Sequence, residues 1–189
     1  MNLTNPKIIL ASASPRRREL LKELVDDFLI VTSDVDETCD IREPHEKVEE
    51  LARRKASAID VKDALIVASD TLVFDGYKPL GKPKNRNDAF DMLCELSGRI
   101  HQVYTAVCLK YNDETIVFYD KTDVEFNHLS TERINRYISE YDPLDKAGAY
   151  GIQDGVCVKK IHGSYSTVVG LPQEKLKKYL TEIGVKIKE

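Results

Sequence analysis

The chain has no apolar run long enough to span a membrane, and its opening residues, Met-Asn-Leu-Thr-Asn-Pro-Lys, lack the charged and apolar regions of a secretory signal. A cytoplasmic location without membrane attachment is expected. Its four cysteines, Cys39, Cys94, Cys108 and Cys157, are scattered and form no Cys-x-x-Cys pair, so they read as reduced core residues. The four histidines form no pair at metal-ligand spacing, which argues against zinc and leaves oxygen as the expected donor to any metal. An excess of basic residues is also missing. Lys and Arg number 28 against 32 Asp and Glu, a formal net charge of −4, which disfavours stable nucleic-acid binding. Neither an internal repeat nor a low-complexity segment interrupts the chain. Hydrophobic residues at 42% and charged residues at 32% are ordinary for a globular protein, and 189 residues suffice for one domain, with room for two lobes.

Positive charge is instead concentrated at one place. Ile8, Ile9 and Leu10 read as a buried strand, Ser14 as a helix N-cap, and Pro15 as the first helical residue, where its missing N–H is harmless. Arg16, Arg17 and Arg18 then fall in the first turn, where the helix dipole disfavours each cation by roughly 0.3–1 kcal/mol. A capping box would place Glu or Gln where Arg17 stands. Arginines pointing into water are one reading of this run. The other is an anion site, in which backbone N–H groups, serine hydroxyls and guanidinium forks converge at a strand-to-helix turn. Adjacent helical residues point about a hundred degrees apart, so Arg16 and Arg17 are the expected ligands and Arg18 the solvent-facing member.

The next elements alternate. Leu20, Leu21 and Leu24 give the first helix its inner side, and Phe28 to Thr32 reads as a second strand. Asp34, Asp36 and Glu37 follow; they make either a solvated acidic loop or a ligand site at a strand's carboxyl end. A helix is expected over Glu43 to Asp60, with Val48, Leu51, Ala52, Ala56 and Ile59 on its apolar stripe. Lys55 falls on that stripe, so it either snorkels outward or reaches into a cleft, and periodicity alone favours snorkelling. Ala64 to Ser69 reads as a strand buried on both faces, with Asp70 and Thr71 directly after it. A carboxylate there should meet a metal, a lysine or a substrate. Leu72 to Phe74 and Tyr77 to Leu80 read as a hairpin turning at Asp75-Gly76, which delivers Lys82 in a loop stiffened by Pro83.

Asn87 is the expected cap of a helix running to Leu96 and stopped by Gly98. Ile100 to Tyr111 and Thr115 to Phe126 are long strands joined at Asn112-Asp113, so the sheet should be mixed. Ser130 caps a helix with Ile134, Tyr137 and Ile138 inward. Residues 145–153 form a loop rich in small residues, where backbone approaches a ligand closely. Gln153 at its end is first a loop amide making turn bonds, and alternatively a reader of an imide-type base edge. Two short strands between Gly155 and Val169, and a helix from Pro172 to Ile183 ended by Gly184, complete the reading.

Several stretches together resemble one family. Leu-Ala-Ser-Ala-Ser-Pro-Arg-Arg (10–17), Asp-Glu (36–37), Arg-Lys-Ala (54–56), Ser-Asp-Thr (69–71), Gly-Lys-Pro (81–83), Leu-Ser-Gly-Arg (96–99), Asp-Lys-Ala-Gly-Ala-Tyr-Gly-Ile-Gln (145–153) and Gly-Leu-Pro (170–172) occur in the order of the Maf family of nucleoside triphosphate pyrophosphatases. Each is weak alone, but together they span nearly the whole chain. The resemblance implies a mixed α/β fold with flanking helices and two lobes around a central cleft, similar to the inosine triphosphate pyrophosphatases. It implies hydrolysis of a nucleoside triphosphate to the monophosphate and pyrophosphate with a divalent cation, magnesium or manganese.

By the same resemblance Asp70 is the general base, and Glu37 and Asp70 hold the metal. Ser12, Arg16, Arg17, Lys55 and Lys82 bind phosphate. Arg16, Thr71 and Gln153 match the trio of the branch acting on dTTP and UTP; a branch preferring 7-methyl-GTP differs at those places. CTP and modified pyrimidine nucleotides stay within the expected range. Ser69 stands where relatives commonly have Gly or Ala, with little consequence expected. The contrasting reading is a non-catalytic nucleotide-binding regulator of septum formation, and a homodimer is compatible with either.

Overall fold

The computed structural model describes residues 1–32 and 34–188. The elements run β1 (Lys7–Leu10), α1 (Pro15–Lys22), β2 (Leu29–Ile30), α2 (Pro44–Ser57), β3 (Ala64–Asp75), β4 (Lys78–Leu80), α3 (Arg86–Leu96), β5 (Ile100–Tyr111), β6 (Glu114–Phe126), α4 (Thr131–Glu140), β7 (Val158–His162), α5 (Tyr165–Val169) and α6 (Gln173–Glu182). Among the described residues the strands form one mixed sheet in the order β2-β1-β3-β5-β6-β7, with β4 against β3. The α/β class expected from the alternating periodicities is the one observed.

Contacts divide the chain into two compact units. The first holds Met1–Asp70, Thr105–Asp120 and the chain from Gly170 on; the second holds Thr71–Tyr104 and Lys121–Val169. In the first unit β1 runs parallel to both β2 and β3, with Ile9 opposite Leu29 and Ile66. Ile8, Ile9 and Leu10 are buried, as are all residues from Ala64 to Asp70, which is the pattern of parallel strands covered on both faces. The stripe of α2 is buried as its spacing predicts. In the second unit Leu93 and Leu96 of α3, Ile134 and Tyr137 of α4, and Val124 and Phe126 of β6 share one core with Ala149 and Tyr150.

Four expectations require correction. The second strand is only Leu29–Ile30, and both residues are exposed; this is an edge strand, and edge strands are kept short because their free backbone groups invite pairing. The helix cap is Asn85, whose side chain accepts from the Asp88 amide, while Asp88 Oδ2 accepts from the Lys84 amide; Asn87 lies inside α3. That reciprocal arrangement resembles a capping box. Between Gly155 and Val169 there is one strand, β7, followed by the short helix α5. Cys94 is exposed on α3, whereas Cys108 and Cys157 are buried and Cys39 is half-buried; all four are free thiols. Burial pushes Cys108 up to about 11, which keeps it an unreactive thiol.

Inside the second unit His101 is fully buried, with its Nε2 2.8 Å from the Tyr150 hydroxyl and its ring edge-on to Phe126 and Tyr150. Its Nδ1 has no hydrogen-bond partner among the described residues. Burial lowers the imidazole from its ordinary 6.5 to about 4, so the folded protein holds it neutral. Between those values the unfolded chain binds a proton that the folded chain does not. The stabilising contribution is therefore complete above pH 6.5 and is lost as the pH falls toward 4, a difference of about 3 kcal/mol. Thermal melts of the native chain and His101→Leu between pH 5 and 6.5 should show the native melting temperature falling and the variant's changing less; parallel slopes would remove His101 as the cause.

Candidate active site

β1 ends at Leu10 and the chain turns through Ala11 to Ala13 into α1. Ser14 caps that helix, its side chain accepting from the Arg17 amide at 3.4 Å, and Pro15 opens it, with no acidic residue in the first turn. Ser12 is half-buried in the turn, and its Oγ accepts from the Ser14 amide at 3.2 Å. Arg16 and Arg17 are half-buried and Arg18 is exposed, as their angular separation predicts.

Arg17 has a further task that periodicity does not reveal. Its Nε donates to the Gly170 carbonyl at 2.9 Å and its Nη1 to the Ser69 carbonyl at 2.8 Å. The Ser69 hydroxyl, itself fully buried, donates to the same Gly170 carbonyl at 2.8 Å. Ser69 is thus not incidental: with Arg17 it ties the backbone just before Asp70 to Gly170, whose φ of 122° is open to glycine and few other residues. Burial lowers the Arg17 pKa, Asp70 and Glu37 oppose that shift, and Arg16 adds to it. The guanidinium keeps its charge beside the Asp70 carboxylate.

Asp70 is not at the end of a strand. β3 continues without a break from Ala64 to Asp75, and the chain passes from one unit to the other between Asp70 and Thr71. Asp70 is 4% exposed. Its Oδ1 is ion-paired with Lys55 Nζ, and its Oδ2 is buried with no hydrogen-bond partner among the described residues. The Lys55 ammonium also lies 2.9 Å from Glu37 Oε1, with its own side chain 17% exposed and that of Glu37 59% exposed. Lys55 therefore does not snorkel to solvent; it reaches from the apolar stripe of α2 to two carboxylates, because a buried carboxylate needs a counter-charge more than the lysine needs water.

Glu37 is delivered there by its neighbours. Asp36 Oδ1 accepts from the Thr38 amide at 2.8 Å, an Asx-type turn, and Arg54 donates to the carbonyls of Asp36 at 3.1 Å and Thr38 at 2.7 Å. Arg54 is braced in turn by Glu50, one helical turn earlier, at 2.8 Å. Of the three acidic residues, Asp36 builds the turn, Glu37 joins the cluster, and Asp34 is exposed. Arg54 was legible only as a member of Arg-Lys-Ala; its tether to the acidic loop depends on the tertiary fold.

The remaining predicted residues lie in the second unit. Thr71 is half-buried in β3, and Lys82 and Gln153 are exposed. The Gly81 carbonyl accepts from the Gly148 amide at 3.1 Å, which joins the Lys82 loop to the loop that carries Gln153. Gly148 has a φ of 69°, and a Cβ there would lie 3.1 Å from a Val73 methyl.

Asp70 and Glu37 present hard oxygen donors on either side of one ammonium, and the buried unpartnered Oδ2 is the atom a cation would satisfy. Among the described residues no group of three or more His, Cys, Asp or Glu converges as a ready-made metal cage. Two carboxylates suit magnesium or manganese, which take their other ligands from water and phosphate oxygens.

The profile of the Maf-like protein family matches residues 7–183. The chain belongs to the Maf-like family. Relatives from Thermosipho africanus, Clostridium novyi and Flavobacterium psychrophilum, each named a dTTP/UTP pyrophosphatase, are 47%, 45% and 46% identical. These alignments cover 95%, 96% and 93% of this chain and 94%, 100% and 94% of the respective relatives. The Maf-like assignment thus extends over both units rather than over the arginine-bearing turn alone.

Proposed function

We propose that residues 1–189 act as one domain that hydrolyses pyrimidine nucleoside triphosphates, dTTP and UTP foremost, to the monophosphate and pyrophosphate. The observation that carries this reading is the buried Asp70 carboxylate, held through one oxygen by Lys55 and unpartnered at the other, beside Glu37. The names of the relatives support the substrate class. A triphosphate brings about four negative charges, and each charge-assisted contact is worth roughly 1.5–3 kcal/mol, so the cations of this chain suffice to bind it.

In this reading the Asp70 carboxylate accepts a proton from a water whose oxygen attacks the α-phosphorus. The bond from that phosphorus to the α–β bridging oxygen breaks, and pyrophosphate leaves with its electron pair. Lys55 fixes the carboxylate's orientation, and Arg17 with Ser69 holds the backbone that carries it. Ser12, Arg16, Arg17, Lys55 and Lys82 contact phosphate, where developing charge is stabilised by groups already in place. Arg16, Thr71 and Gln153 choose the base. Glu37 and Asp70 are the residues that would hold magnesium or manganese, which when bound polarises phosphate oxygens.

The test is a panel of dTTP, UTP, CTP and ATP with each metal, assayed for pyrophosphate release and repeated with Gln153→Ala. Release from the pyrimidine nucleotides, with base preference reduced in the variant, is expected. Nucleotide binding without pyrophosphate release would replace the enzyme with a regulatory binding module.

A further inference from the structure

The second unit contains a hydroxyl that its core does not need. Tyr137 is 2% exposed on α4, and its ring packs in the core and stacks on Tyr141. A phenylalanine ring would fill the same space. The hydroxyl instead points at the loop that carries Gln153, donating to Asp154 Oδ2 at 2.6 Å and accepting from the Gly151 amide at 2.9 Å. Those two contacts hold the two ends of the 3₁₀ turn Ile152–Asp154, one at Gly151 just before it and one at its last residue; Gln153 is at its middle and Gly155 closes it in the left-handed conformation.

The turn is also tight. A Cβ on Gly151 would lie 2.7 Å from both Asp154 Oδ2 and Gln153 Nε2, so the Gln153 amide folds back beside the atoms that Tyr137 holds. Burial, and then the bond to Asp154, raise the phenol's pKa far above its ordinary value, which keeps the hydroxyl a donor.

We propose that Tyr137, acting through Asp154 and the Gly151 amide, is the positioning residue that sets the Gln153 amide for base recognition. This rests on the reading of Gln153 as the base-selecting group. A glutamine on an exposed turn has several rotatable bonds, and it discriminates between base edges only if its backbone and the start of its side chain are already fixed. The latch fixes them from within the core, so selectivity depends on an atom that does not touch the nucleotide. The latch acts on the nucleoside end, and the Asp70 cluster is built from other residues.

The experiment compares Tyr137→Phe, Asp154→Ala, Asp154→Asn and Gln153→Ala in the full chain, measuring kcat and KM for UTP and ATP. Amide hydrogen exchange over residues 151–155 provides a readout independent of activity. Tyr137→Phe and Asp154→Ala are expected to shrink the UTP-over-ATP ratio of kcat/KM by about tenfold, the worth of one strong hydrogen bond, mainly through KM for UTP. Exchange at Gly151 should quicken in Tyr137→Phe. Asp154→Asn, which keeps an acceptor for the hydroxyl, should retain the ratio.

If Gln153→Ala reduces the ratio while Tyr137→Phe leaves it intact, the positioning role is overturned and the reading of Gln153 stands. If Gln153→Ala leaves the ratio intact, that reading fails and the positioning role falls with it. Equal loss of kcat for both nucleotides in Tyr137→Phe, with the ratio unchanged, also overturns the proposal and marks the hydroxyl as structural.

Discussion

Asp70→Asn is expected to lower the proposed pyrophosphatase turnover by about a thousandfold while nucleotide binding stays measurable. The substitution keeps the shape of the side chain and removes its charge and its ability to take a proton. Lys55 retains Glu37 as a partner, so the cluster is not left with a lone cation. Arg17 and Ser69 still tie the preceding backbone to Gly170, because those contacts use main-chain carbonyls rather than the carboxylate. The loss should therefore fall on kcat. Single-turnover release of pyrophosphate and equilibrium binding of the nucleotide check the two halves separately. Near-native turnover would remove Asp70 as the base.

Lys55→Met should have the largest effect on stability. Removing one partner of a buried ion pair costs about 3–5 kcal/mol. Here the group left behind is the buried Asp70 carboxylate, whose remaining positive neighbour, the Arg17 guanidinium, donates to the Gly170 and Ser69 carbonyls. Methionine matches the lysine stem along the α2 stripe, so packing is largely preserved. Denaturant unfolding of Lys55→Met, Asp70→Asn and the double variant measures the coupling. The double variant should be more stable than Lys55→Met alone, since the buried charge is gone. If the two losses simply add, the ion pair is not what holds Asp70 in place.

The two predictions depend on sequence in different ways. That Asp70 would meet a partner was legible because a carboxylate following an unbroken apolar run is expensive to bury alone, and the partner is Lys55. The place of Asp70 in the strand was misread: Ser69-Asp70-Thr71 looks like a strand end, yet the strand continues to Asp75. Polar residues break the hydrophobic pattern, but they do not break a strand whose side chains are satisfied by ion pairing and hydrogen bonds. For Lys55 periodicity alone favours the wrong one of two placements. Periodicity placed it on the buried stripe, and an ammonium on such a stripe is ordinarily turned out to water. What overrides that preference is Asp70, 15 residues away in the chain.

The helix caps show the same limit at shorter range. Ser14 and Ser130 were placed correctly, because a cap is decided within one turn of helix. Asn85 and Asn87 both qualify as caps by type, and only the reciprocal bonds of Lys84, Asn85 and Asp88 decide between them.

By itself the sequence determined the α/β class, the buried faces, the start of the arginine-bearing helix and, through motifs in register, the Maf-like family. These depend on residue type at fixed short spacing, where backbone geometry leaves few alternatives. Only the tertiary structure decided that Arg17 and Ser69 converge on the Gly170 carbonyl, that Arg54 fastens the Glu37 turn, and that Lys55 joins Glu37 to Asp70. Those contacts link residues on separate elements, so no periodicity records them. They form because buried charges and carbonyls must find partners wherever the folded chain brings them.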